Sequence, residues 1–63
     1  MTKLEKLYQN MADTLEQGMT DLEKFEEGNM SAGTRVRKTM QIIKTLAQQI
    51  RVEVQEQKNV VVA

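Results

Sequence analysis

Apolar or small residues recur along this chain at alternating spacings of four and three, in two separate runs. The first run is Leu4, Tyr8, Met11, Leu15, Gly18, Leu22 and Phe25. The second is Gly33, Val36, Met40, Ile43, Ala47, Ile50 and Val54. Such spacing marks one face of an α-helix that packs along another helix, because a 3.6-residue turn returns the same face every three or four positions. A half-buried strand would need alternation with period two, and neither run has it. No proline occurs in the 63 residues, so nothing breaks either helix from within. The fold class is therefore all-α.

The strongest interruption is Gly28-Asn29-Met30-Ser31-Ala32-Gly33. Gly28 suits the position just past a helix C-terminus, and Asn29 or Ser31 suits the N-cap of the next helix. This reading gives a single domain over residues 1–63, with helix 1 at about 2–27, a turn at 28–29, helix 2 at about 30–57, and an apolar tail at 59–63. So short a connection folds the helices back as antiparallel neighbours, an α-hairpin with coiled-coil-like packing. With the turn centred near Asn29, seam partners sum to 58. Phe25 then faces Gly33, Leu22 faces Val36, and Gly18 faces Met40, so large residues meet small ones at both glycines.

Leu7, Met19, Ile42, Leu46 and Val52 fall outside this seam. A stripe that spreads beyond the seam positions is expected when a helix touches more than one neighbour. A chain of this length also gains little core alone, and it has no cysteine for a disulfide. Two hairpins are thus expected to form a homodimer, a four-helix bundle.

The same inventory bears on function. The chain has neither His nor Cys, which removes the usual zinc ligands, the thiol nucleophile and the imidazole base. No enzyme activity, cofactor, metal or small-molecule substrate is expected. The longest apolar run, Val60–Ala63, is far short of the ~20 residues that cross a bilayer. A soluble, cytoplasmic chain with no membrane partner is the expectation.

Charge is balanced overall but not locally. In residues 1–28 three Lys face seven Asp and Glu, leaving −4; in residues 29–63 six Lys and Arg face two Glu, leaving +4. No acidic residue lies between Asn29 and Val52. Such asymmetry points to a polyanion partner or to mutual attraction of the two halves. Arg37, Lys44, Arg51 and Lys58 recur every seven residues and form a column on helix 2 with ~10.5 Å between neighbours. Across the seam they would meet Glu5, Ala12, Met19 and Glu26, two of which cannot pair with a cation. Arg35 and Lys38 join Arg37 at the start of helix 2, where Ser31 and Thr34 hydroxyls and free N–H groups suit a phosphate. Glu23, Glu26 and Glu27, just across the turn, could instead neutralise Arg35 and Arg37. Tyr8 and Phe25 belong to the seam, so no aromatic platform is left for stacking bases.

The segment Gly28-Asn29-x-x-Ala32-Gly33-Thr34-Arg35-x-Arg37-Lys38, followed by Leu46-Ala47-x-x-Ile50-Arg51-x-Glu53, resembles the bacterial histone H1-like protein family, the chlamydial-type nucleoid proteins. The resemblance extends over roughly residues 3–58. It implies a nucleoid-associated, DNA-binding protein whose helical part self-associates, with Arg35, Arg37, Lys38 and Arg51 as DNA contacts. The Lys- and Ala-rich tail of longer members has no counterpart in these residues. With Lys44 added from the column, the candidate DNA-binding set is Arg35, Arg37, Lys38, Lys44 and Arg51, expected to grip duplex phosphates without reading sequence. The other expectation is a helical protein–protein interaction module whose charges select protein partners and bind no nucleic acid.

Overall fold

The computed structural model describes residues 1–62, with side chains described through Asn59. Two helices, α1 (Lys3–Glu26) and α2 (Met30–Val62), make up the fold. They pack against each other as the expected hairpin, about 54 Å long, 19 Å wide and 11 Å deep. That depth is one helix, so the protein is a single layer. The segment 59–62, read from sequence as a tail, continues α2, since neither Gly nor Pro follows Gly33 to stop the helix. Ala63 lies outside the described residues.

Local chemistry sets each helix end. Thr2 caps α1: its Oγ1 accepts the Glu5 N–H at 3.1 Å, while Glu5 Oε1 accepts the Thr2 N–H at 2.8 Å, closing a capping box. At the other end Gly28 takes φ +105°, its N–H donates to Phe25 O at 2.9 Å, and Asn29 N–H donates to Lys24 O at 3.0 Å. These are the paired bonds of a Schellman stop, which needs a left-handed residue where glycine stands. Asn29 then starts α2, its Oδ1 accepting the Ala32 N–H at 3.3 Å.

The register matches the sequence reading at Phe25–Gly33 and departs from it by one residue at Gly18, which was expected to face Met40. A Cβ on Gly33 would lie 2.8 Å from the Phe25 ring, so the aromatic does occupy the space left by that glycine. Gly18 lies against Thr39, where a Cβ would meet Cγ2 at 3.1 Å. The Thr14 and Thr39 hydroxyls donate to Asn10 O and Arg35 O in their own helices, at 2.7 and 3.1 Å. With the hydroxyl satisfied within the turn, threonine can line a helix–helix contact.

Which residues turn inward is where the structure departs from the sequence seam. The inner face of α1 carries Leu4, Leu7, Met11, Thr14, Gly18 and Asp21, and that of α2 carries Ala32, Gly33, Val36, Thr39, Ile43, Leu46, Ala47, Ile50 and Glu53. Leu7 and Leu46, expected beside the contact, are inside it. Tyr8, Leu15, Leu22 and Phe25 of α1 and Met40 and Val54 of α2, expected within it, are 63, 48, 40, 42, 47 and 40% exposed. Two helices alone can cover only a narrow stripe, so one side of each broad apolar band is left outside. Among the described residues, Ala32 alone is fully buried.

Candidate nucleic-acid interface

Helix periodicity fixes where each cation points. A helix completes five turns in about 18 residues. Lys3 and Asp21 therefore stand on one line along α1, and Arg35 and Glu53 on one line along α2. The structure joins these lines twice. Arg35 Nε donates to Asp21 Oδ1 at 2.7 Å, and Lys3 Nζ lies 3.3 Å from Glu53 Oε2. Together the two ion pairs define one edge of the hairpin. Glu53 also accepts from Gln57 Nε2 at 3.3 Å. That hydrogen bond first, and Lys3 second, hold its carboxyl below the ordinary carboxylate value.

The opposite edge is apolar and cationic. Leu15, Met19 and Leu22 of α1 and Val36 and Met40 of α2 line a groove of about 400 Å³ there, floored by Gly18 and Thr39. Counting 100° per residue from the inner face of α2, Arg37, Lys44 and Arg51 fall on this groove side, outward of Met40. Counting the other way, Arg35 and Lys38 fall on the ion-pair edge. Lys24, three residues after Asp21 on α1, shares that edge and was not singled out by the sequence.

The five candidate residues thus form no single cluster. Arg37, Lys44 and Arg51 stand together on one exposed edge, about 10.5 Å apart. Lys38 is exposed on the other edge, beside the bridged Arg35. Among the described residues, Arg37, Lys38, Lys44 and Arg51 make no ion pair. Asp21 neutralises Arg35, a role the sequence had offered to Glu23, Glu26 and Glu27. At the first turn of α2 the Ala32 N–H is already taken by Asn29, through its carbonyl at 3.2 Å and its side chain. Fewer free donors remain there for a phosphate than the sequence suggested.

No helix among the described residues is long and apolar enough to cross a membrane. No group of three or more metal-ligating side chains forms among them. The features that remain define a class: a charge-segregated helical hairpin with a cationic column exposed along its second helix. The family described as Histone H1-like protein Hc1 matches residues 5–60, nearly the whole chain. The protein belongs to this histone H1-like family, and the family points to a DNA-binding protein of the nucleoid. Comparison with curated proteins and with solved structures returns no match.

Proposed function

We infer that this protein binds the phosphate backbone of duplex DNA on the bacterial nucleoid, through the exposed cations of α2 and without reading base sequence. The observation that carries this reading is the row Arg37, Lys44 and Arg51 on one edge of α2, which has no carboxylate partner among the described residues. Family membership supports the same reading. Lys38 adds a contact from the neighbouring edge, and Arg35 contributes only when phosphate displaces Asp21. The row spans ~21 Å, about six base pairs at 3.4 Å per step along one strand. Backbone-directed lysines and arginines position a protein on DNA but carry no base code. The hairpin acts as a self-associated homodimer, which doubles the number of cations presented.

A titration of a random-sequence duplex at low salt tests this. Binding at micromolar protein, weakening by orders of magnitude between 50 and 200 mM salt, is expected when several phosphates are neutralised. Absence of binding, or binding indifferent to salt, would remove the proposal.

A further inference from the structure

Along the groove side the hairpin leaves Leu15, Met19, Leu22 and Met40 exposed in one continuous strip. Soluble proteins rarely leave such a strip uncovered. The charges bordering it identify what covers it. Outward of the strip, α2 carries Arg37, Lys44 and Arg51, while α1 carries Glu5, Glu16 and Glu23, with Glu26 beside them. A face with one cationic and one acidic border complements a second copy of itself.

Two ways of pairing such faces keep neighbouring helices antiparallel. A two-fold axis parallel to the helices lays α1 of each copy over α2 of the other, with both turns at the same end. A perpendicular two-fold lays α2 over α2 and sets cation against cation. Charge complementarity separates them. We propose that a second copy of this chain docks on the Leu15–Met19–Leu22–Met40 face with the turns at the same end, so that its acidic border meets the cationic column. This rests on the self-association in the reading above and deepens it by naming the face and the orientation.

The hairpin register carries over to the second copy in that arrangement. The Arg35–Asp21 and Phe25–Gly33 contacts place Arg37 level with residues 19–21 of α1, Lys44 with 12–14, and Arg51 with 5–7. Glu23, Glu16 and Glu5 of the second copy then lie within about one helical turn of Arg37, Lys44 and Arg51 respectively. Within one hairpin these groups point away from one another. The border pairs are solvent-exposed and individually weak, so phosphate can take the cations while the apolar strip stays covered. DNA and the second copy's carboxylates thus compete for the same three side chains.

Sedimentation equilibrium of the full chain without DNA gives the first test. A dimer, twice 7.2 kDa, is expected at micromolar concentration, and Met40→Glu shifts it toward monomer. A monomeric wild-type chain overturns the proposal and leaves DNA binding to be judged separately. Orientation is read from a charge exchange. Arg37→Glu should weaken the dimer about tenfold at low salt, and adding Glu23→Arg to the same chain should restore it. A dimer that Arg37→Glu strengthens, or that the second change fails to restore, overturns the orientation. Glu23→Gln should also tighten DNA binding by about twofold; unchanged or weaker binding overturns the competition.

Discussion

Gly28 holds the left-handed conformation on which the chain reversal turns, at φ +105°, and no atom lies within 4 Å of where its Cβ would be. The cost of a side chain there is therefore backbone strain alone. Gly28→Ala is expected to lower stability by about 1–2 kcal/mol, read as a drop in the thermal midpoint of the helical circular dichroism signal. Arg35 and Lys44 make a contrasting pair at the same scale. Both were candidate DNA contacts, but Arg35 is engaged by Asp21 at 2.7 Å and Lys44 is unpaired among the described residues. Lys44→Gln should weaken duplex binding several-fold by removing a counterion-releasing contact. Arg35→Gln should weaken it less. Fluorescence anisotropy with one labelled duplex compares them directly, and a larger loss for Arg35→Gln would reverse the assignment. Sequence alone could not separate the two residues. Separation needs the inner faces of both helices, and there Asp21 of α1 and Glu53 of α2 are polar, so an apolar pattern skips them.

Each helix was legible as an element because the band of period three and four was long and uninterrupted. The Phe25–Gly33 contact was legible too, since a large residue opposite a glycine fixes the register. The inward stripe was not. Leu7 and Tyr8 are adjacent apolar residues, and spacings of four-then-three and three-then-four through Leu4 and Met11 fit the sequence equally well. Packing decided for Leu7. Helix ends were partly legible, and the capping box at Thr2 and Glu5 carries a pH signature. The Thr2 N–H first, and the Thr2 hydroxyl second, hold the Glu5 carboxyl below its ordinary value of 4.5. Glu53 is lowered as well, by Gln57 and Lys3. A carboxyl with a depressed value in the fold stabilises above its unfolded value, and that stabilisation disappears as pH falls through the folded value. The hairpin should thus lose thermal stability below about pH 4.5, and Glu5→Gln should lose less over the same interval because that side chain no longer titrates. Thermal melts at pH 7 and pH 3 on both proteins check the sign.

At the scale of the molecule, the hairpin is one layer 11 Å deep with opposite charge on its two helices and an apolar strip along one side. Zero net charge conceals this arrangement, whereas the split of −4 and +4 between the halves reveals it. The geometry makes a quantitative demand on DNA binding. If Arg37, Lys44 and Arg51 each neutralise one phosphate, a dimer releases about six counterions through them, and each contact contributes about −0.9 to the slope of log affinity against log salt. The decisive measurement is that slope for the wild-type chain and for the triple variant Arg37→Gln, Lys44→Gln, Arg51→Gln, with dimer formation verified for both. A slope near −5 or steeper for wild type, falling to about −2 in the variant, which keeps Lys38, is the expected result. Equal slopes and affinities for the two proteins would contradict the account.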